Sequence, residues 1–207
     1  MSQIKLKHSG GNSVIIAAPS SNPASDRTLT LPGDADGTIL TSNSSTGKIL
    51  QVVSVTKSDT FSLTSTTAFT DVTGLSVAIT PASTSNKILV AYDLGWSSSN
   101  GHMSCRIMRD STAIKIGDAG GSNRQRVTGH YHHSANGQNE YDITQIAGTF
   151  LDSPNTTSSV TYKWQVGTPF SSGYTVFVNR TGDDGDQAYN GRSASSITVM
   201  ELSLIHI

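Results

Sequence analysis

The run TYKWQV at residues 161–166 indicates the fold class of this chain. Its large apolar side chains, Tyr162, Trp164 and Val166, stand at every second position, with polar or charged residues between them. A period of two is that of a β-strand with one face in a core and the other in water. We therefore predict a strand whose inner face carries Tyr162, Trp164 and Val166.

Similar short runs follow one another along most of the chain, with turn residues between them. Leu75, Val77 and Ile79 alternate in one of these runs, and no window carries an apolar stripe at helical spacing. Short strands in this number predict an all-β domain, a single antiparallel β-sandwich of jelly-roll type. The predicted strands span residues 49–55, 60–64, 75–79, 87–96, 102–109, 113–116, 141–150, 160–166, 174–178 and 196–202.

Residues 1–48 have a different pattern. Stretches rich in Gly, Pro, Asn and Ser alternate with four very short strand-like pieces, at 4–7, 14–17, 28–31 and 38–41. None of these pieces is long enough to bury a core of its own. We therefore predict an extended arm over residues 1–48, which buries its apolar side chains against partner chains, and a sandwich domain over residues 49–207. The alternative is a flexible tail.

Composition excludes several classes of protein. Charged residues make up 14% of the 207 residues, against about 25% in an average soluble domain, and the net charge is −1. Nucleic acid is therefore an unexpected partner, because phosphate contacts need a basic surface. No apolar stretch is long enough for a membrane-spanning helix, so membrane insertion is not expected. The single cysteine, Cys105, excludes an intramolecular disulfide and predicts an inert thiol in a strand.

Three stretches hold the aromatic and amide side chains with which proteins bind sugars, and we predict them to be surface loops. They lie at residues 96–102, 130–139 and 186–190. The alternative interpretation of each is a plain surface turn. The candidate ligand-binding residues in these stretches are Trp96, Tyr131, Asn136, Tyr189 and Asn190.

His130 and His132 form the one candidate metal site. In a strand they project from the same face, so a threefold trimer would bring six imidazoles around its axis. Octahedral nitrogen coordination suits iron or nickel better than zinc. The alternative is a polar strand or loop whose histidines face water. No other cofactor is expected.

Both parts of the chain contain distinctive stretches. In the arm they are IKLKHSGGN at 4–12, AAP at 17–19, NPASDRTLTLP at 22–32 and DGTIL at 36–40. In the sandwich they are FTDVTGLSV at 69–77, KILV at 87–90, MRDST at 108–112, FLDSP at 150–154 and GRSASSITVME at 191–201. These stretches resemble the tail-fibre-like and other virion structural proteins of marine bacteriophages, especially cyanophages.

The resemblance implies a homotrimeric virion appendage. Residues 1–48 would join it to other virion proteins or to a shaft, and the sandwich would face outward. On this basis we expect a tail-fibre-like structural protein that is assembled in the host cytoplasm, resides in the virion, attaches to a host-surface glycan and is not an enzyme. Two other functions stay open: a head-decoration or fibre-docking protein without receptor binding, and a polysaccharide depolymerase.

The last six residues, 202–207, resemble a translated sequencing-adapter scar. On that interpretation residues 204–207 form a non-native tail. The alternative is the end of an ordinary strand followed by a short tail.

Overall fold

The computed structural model describes residues 3–7, 9–11, 13–17, 49–64, 67–99, 101–132, 141–170 and 173–203. These residues contain no helix, and their strands pair antiparallel, so the predicted all-β class is confirmed. No helix that would be long and apolar enough to cross a membrane occurs in this part of the chain. The chain divides into two compact units, Met1–Ser44 and Ser45–Ile207.

The described part of the first unit is a β-hairpin. Strands β1 (Gln3–Lys7) and β2 (Ser13–Ala17) pair antiparallel, with Ile4 opposite Ile16 and Leu6 opposite Val14. Both strands lie within one residue of the predicted pieces. The other two predicted pieces, at 28–31 and 38–41, lie outside the described residues, as do residues 204–207.

The second unit holds eleven strands in two antiparallel sheets. Each of the ten predicted strands overlaps one of them. The eleventh is β9, which contains the two candidate metal ligands. The strands are β3 (Ile49–Lys57), β4 (Phe61–Thr64), β5 (Thr70–Ile79), β6 (Lys87–Ser98), β7 (His102–Arg109), β8 (Thr112–Ile114), β9 (Gly129–His132), β10 (Thr144–Asp152), β11 (Val160–Gly167), β12 (Thr175–Val178) and β13 (Ser195–Leu202).

The first sheet contains six strands but is only four strands wide, because in two of its four strand positions two strands lie one after the other. β10 flanks β6 on one side, and both β12 and β13 flank it on the other. β4 pairs with β12 and β3 pairs with β13, so these two strands share the outermost position. The order across the first sheet is therefore β10, β6, β12 with β13, and β4 with β3.

The second sheet also has four positions, in the order β5, β11, β7 and β8 with β9. If β3 with β4, β8 with β9 and β12 with β13 are each counted as one place, the chain alternates between the two sheets except at the step from β7 to β8. Each sheet therefore pairs strands that are far apart in sequence, such as β3 with β13 and β5 with β11.

The core lies between the inner faces of the two sheets. Tyr162, Trp164 and Val166 are fully buried, which confirms the inner face predicted for the run at 161–166. The ring of Tyr92, on β6 of the first sheet, meets the edge of Trp164, on β11 of the second, with centroids 5.4 Å apart. This contact joins the two sheets near the middle of the core, because aromatic pairs prefer such edge-to-face geometry.

Strand β5 begins five residues earlier than predicted because a β-bulge interrupts its alternation. Gly74 has φ 81°, in the left-handed region that glycine adopts without strain. The pairing of β5 with β11 shifts at the same place, between Lys163 and Gln165. At this shift four residues of β5, at positions 72–75, lie opposite Trp164 alone, so Val72 and Leu75 both point into the core although they are three positions apart. The search for strict alternation therefore predicted only residues 75–79, the part of β5 that follows the bulge.

Candidate functional site

A loop at residues 179–194 separates β12 from β13 at the edge of β6. Its first residue, Asn179, is fully buried and has φ 62°, a conformation that asparagine tolerates better than most residues. The Asn179 amide donates to the carbonyl of Gly95 (2.9 Å), and its side-chain Nδ2 donates to the carbonyl of Lys57 (2.8 Å). Ser195 Oγ, at the other end of the loop, donates to Asn179 Oδ1 (2.6 Å). Asn179 thus fixes both ends of the loop to the sheet.

Ion pairs hold the interior of this loop. Asp184 accepts from Arg180 Nη1 at 2.7 Å and from Arg192 Nη2 at 2.5 Å, so one carboxylate ties the outgoing and returning halves together. The Arg180 guanidinium also lies over the ring of Phe177, 4.1 Å from its centroid. The loop's own side chains therefore give it a defined shape.

Tyr189 projects from this loop beside Tyr141, which lies just before β10. The two rings meet edge to face with centroids 4.8 Å apart and planes at 76°. Tyr189 is 59% exposed and Tyr141 is 46% exposed, so both rings offer surface to solvent. The side chains of Asp186 and Gln187 are exposed in the same loop. Exposed aromatic faces next to hydrogen-bonding groups are the combination that binds sugar rings.

Asn190, a predicted ligand-binding residue, is half-buried in this loop and bonds to other residues of the loop. Its Nδ2 donates to the carbonyl of Gly185 (2.7 Å) and to Asp183 Oδ2 (3.3 Å). Its Oδ1 is buried and has no hydrogen-bond partner among the described residues. The ligand contact predicted for Asn190 stays a prediction, and the structure shows the side chain bonded within the turn next to Tyr189.

The prediction that Trp96 lies in a surface loop is wrong. Strand β6 continues to Ser98, and Trp96 is only 1% exposed because it extends the inner row that includes Tyr92 and Leu94. The ring therefore packs in the core and cannot reach a ligand. Tyr131, on β9, is half-buried and packs against the core. Asn136 lies outside the described residues.

His130 and His132 lie on one face of β9 with exposed side chains, as the strand interpretation requires. His130 Nδ1 is 2.9 Å from Ser104 Oγ. The His132 ring stacks on His102 with centroids 4.0 Å apart, and His102 also meets the rings of Phe170 and Tyr174. No group of three metal-ligating side chains occurs within the described parts of this single chain. The threefold metal site stays a prediction, since it needs three chains.

The environment of His102 favours its neutral form. Burial lowers the pKa of His102, and positive charge on His132 and His130 lowers it further. Burial likewise raises the pKa of the Cys105 thiol, which is fully buried, in agreement with the inert thiol predicted from the sequence.

No protein-family model matches this sequence, and no curated protein matches it either. Two solved structures with a similar backbone come from infectious bursal disease virus. The structure of the Gx strain has a TM-score of 0.40 and 14% sequence identity, over 94% of this chain and 47% of that chain. The structure of the Gt strain has a TM-score of 0.38 and 13% identity, over 92% of this chain and 46% of that chain. The present chain thus spans about half the length of each viral chain.

Proposed function

We propose that this chain is a virion structural protein of the tail-fibre type, whose sandwich attaches to a glycan on the host surface. The observation that carries the attachment role is the exposed aromatic pair formed by Tyr189, on the loop at 179–194, and Tyr141, just before β10. Two rings already fixed in place lose little conformational freedom when a sugar stacks on them, and so bind it with little entropic cost. The resemblance of both parts of the sequence to phage virion proteins supports the virion location and assembly in the host cytoplasm.

We further propose that the sandwich is a jelly roll. Eight strand positions in two four-position sheets, with strands distant in sequence paired inside each sheet, support this fold. An experimental structure of the protein tests the strand order directly.

In the same proposal, residues 1–48 dock the protein to other virion proteins and the assembled appendage is a homotrimer. The turn-rich pattern of this segment and its resemblance to the opening of phage appendage proteins support the docking role. The iron or nickel site of His130 and His132 depends on such a trimer. Metal analysis of the untagged protein tests it, and less than one ion per trimer would overturn it.

Binding to host cells tests the attachment role. Purified labelled protein is expected to bind host cells or their surface polysaccharide saturably. Tyr189→Ala and Tyr141→Ala should each weaken binding by about tenfold or more, because aromatic residues that anchor a ligand contribute about 1.4 kcal/mol or more. Phe170→Ala is the matched control, since Phe170 is equally exposed (45%) but belongs to the cluster around His102.

The outcomes separate the three functions. Binding that is lost in both tyrosine variants but kept in the Phe170 variant supports glycan attachment. Binding to particles alone, with none to cells, would favour the head-decoration or docking role. Shortened polysaccharide after incubation would favour a depolymerase and would contradict the proposal that the chain is not an enzyme.

A further inference from the structure

The segment between β8 and β9 carries a loop, residues 118–126, that is fastened to the second sheet. Gln125 Oε1 accepts a hydrogen bond from Ser104 Oγ of β7 (2.7 Å), and Gln125 Nε2 donates to the carbonyl of Thr168, just after β11 (3.4 Å). Directly after the loop, Thr128 Oγ1 accepts from a backbone amide of β7 (3.0 Å). Ser104 and Thr168 are fully buried, so the loop is attached to well-packed parts of the sandwich.

The outward part of this loop encloses a cavity of about 500 Å³. Cavities of this volume are in the range that holds small ligands or single sugar units. Gly121 has φ 78°, and a turn with one left-handed residue directs neighbouring backbone amides into the same concavity. The cavity is lined by Gly120, Gly121, Ser122, Asn123 and Arg124.

The residues that line the cavity, 120–124, have many unused hydrogen-bond donors. Within the described part of the chain, neither their backbone amides nor the side chains of Ser122, Asn123 and Arg124 donate a hydrogen bond to any acceptor. Buried or partly buried donors normally find an acceptor in the protein or in a bound molecule. The lining is therefore suited to a ligand that supplies several acceptor oxygens.

The guanidinium of Arg124 lies against the wall of the cavity. Its Nη1 would be 3.3 Å from a Cβ atom built at Gly120, and its Cδ would be 3.6 Å from the same atom. A side chain at position 120 would therefore crowd the guanidinium, and glycine permits the close approach. A guanidinium presents two parallel N–H groups, a geometry that matches two oxygens of one carboxylate, sulfate or phosphate group.

The charge of this segment also favours an anion. Residues 115–126 hold three of the chain's 14 basic residues, Lys115, Arg124 and Arg126, and a single acid, Asp118. The segment thus carries a charge of +2, whereas the whole chain carries −1. All four residues are exposed, and none of them forms an ion pair with another described residue. A local excess of positive charge attracts negatively charged ligands.

We propose that the 118–126 loop binds a tetrahedral oxyanion, the sulfate or phosphate group of a polysaccharide. The backbone amides and Arg124 supply the donors for the oxyanion, and the volume of the cavity leaves room for the sugar ring that carries it. The oxyanion site itself stands on the loop alone. The assignment of a polysaccharide as its carrier rests on the proposed glycan attachment and names the class of glycan as acidic.

Calorimetric titration of the full chain tests the proposal, with dextran sulfate as the ligand and unsubstituted dextran as its uncharged counterpart. The protein should bind dextran sulfate alone, and more weakly as the salt concentration rises above about 0.1 M, because exposed charges are screened. Inorganic sulfate distinguishes the polymer from the free ion. Per sulfate group, the polymer should bind about tenfold more tightly or better, because its sugar ring also contacts the cavity.

Substitutions in the loop identify the residues that bind. Arg124→Gln should weaken binding of dextran sulfate by about tenfold, since it removes a charged hydrogen-bond donor. Arg124→Lys keeps the charge but loses the paired N–H groups, and should restore only part of the affinity. Lys7→Gln is the matched control, because it removes one exposed positive charge from the β1–β2 hairpin, and it should bind as the wild type does. Circular dichroism checks that each variant is folded.

The outcomes separate the oxyanion site from glycan attachment by Tyr141 and Tyr189. Equal binding of dextran sulfate by the wild type and the Arg124→Gln variant would overturn the oxyanion site, while the cell-binding assay would still decide on the tyrosine pair. An equal loss in the Lys7→Gln variant would also overturn it, since attraction would then depend on net charge alone. Inorganic sulfate that binds as tightly as the polymer would assign the site to a free ion and overturn the polysaccharide. Arg124-dependent binding of dextran sulfate without any binding to host cells would remove the proposed attachment and keep the oxyanion site.

Discussion

At the scale of single residues, a few buried polar groups carry much of the specificity of this sandwich. Glu201 is fully buried and accepts hydrogen bonds from Asn86 Nδ2 (2.6 Å), Gln51 Nε2 (2.6 Å) and the Ala82 amide (2.7 Å). The carboxylate thereby joins β13, β3 and the segment between β5 and β6. A buried charge is tolerated only where such partners replace water.

The surroundings of Glu201 predict that the folded protein loses stability in acid. Burial by itself would raise the pKa of Glu201, but the hydrogen bonds from Asn86, Gln51 and the backbone outweigh it and hold the pKa below its ordinary value. A pKa that is lower in the folded chain stabilises the fold above the unfolded value of about 4.3, and this stabilisation is lost as the pH falls through the folded value.

Glu201→Gln should therefore be less stable than the wild type at pH 7, by about 1.5–3 kcal/mol, the usual contribution of hydrogen bonds to a charged group. It should also lose less stability than the wild type as the pH falls below about 4.3, where the unfolded chain takes up the glutamate proton before the folded chain does. Urea denaturation across this range measures both effects. Equal pH dependence of the two proteins would show that Glu201 is not the titrating group.

Truncation of Trp164 should reduce the stability of the fold through the loss of core packing. Its ring is fully buried, so Trp164→Ala removes the largest side chain of β11 from the middle of the core. The expected loss is about 3–5 kcal/mol, a large part of the total stability of an ordinary domain. Chemical denaturation measures it. Tyr189→Ala, at an exposed position, is the control and should change stability by about 0.5 kcal/mol or less.

At the scale of secondary-structure elements, the sandwich depends on strand positions that two short strands share. β12 and β13 together flank β6, and the chain between them leaves the sheet as the loop that carries Tyr189. Since β12 and β13 both pair with β6, the two ends of the loop lie beside residues of β6 that are only a few positions apart. Both ends of the loop that carries Tyr189 are therefore attached to β6.

Gly95 on β6 lets this loop lie against the sheet. A Cβ atom built at Gly95 would collide with Ser193 Oγ and would lie 3.5 Å from a methyl group of Ile143. Gly95→Ala should therefore displace the returning half of the loop, at a cost of about 1–3 kcal/mol. It should also weaken glycan binding, because Tyr189 moves with the loop.

Thermal melting measures the effect of Gly95→Ala on stability, and the cell-binding assay measures its effect on glycan binding. Gly117→Ala is a matched control, since no atom lies within 4 Å of a Cβ built at Gly117. Unchanged melting and binding in the Gly95 variant would show that the loop adapts to a methyl group, and that close packing on β6 is not what fixes Tyr189.

At the scale of the whole molecule, every residue of the described hydrophobic core lies in the unit Ser45–Ile207. The core draws on both sheets and on nearly all the strands of that unit. The boundary between the two units, after Ser44, lies within a few residues of the arm boundary predicted at residue 48. A unit with its own core is expected to fold by itself.

Deletion of residues 1–44 should therefore leave a β-rich protein that melts cooperatively but no longer joins the virion. Circular dichroism and a thermal melt measure the first property, and incorporation into particles measures the second. An unfolded truncated chain would mean that the deleted segment completes the sandwich. Incorporation of the truncated chain into particles would place the docking surface on the sandwich.

The sequence by itself determines the all-β class, the approximate position of each strand of the sandwich and the inner face of β11. These properties depend on local alternation, and alternation in a run such as 161–166 reflects which side of a strand meets water. On β6 the inward-facing residues stand at even positions, and this alternation also predicts that Trp96 faces the core. The inward row runs through Tyr92 and Leu94 to Trp96, and the prediction missed it by ending the strand there.

Only the tertiary structure decided which distant residues meet. Tyr141 and Tyr189 come together because β10 and the loop after β12 approach β6 from opposite sides, and no local pattern marks Tyr141. The row of side chains that runs from Leu151 to Val52 across the first sheet likewise follows from the register of three strand pairings. Register depends on long-range backbone hydrogen bonds, and a shift of one residue would turn each side chain to the other face. The strands are therefore predictable from the sequence, whereas the surfaces they form are set by how the strands pair.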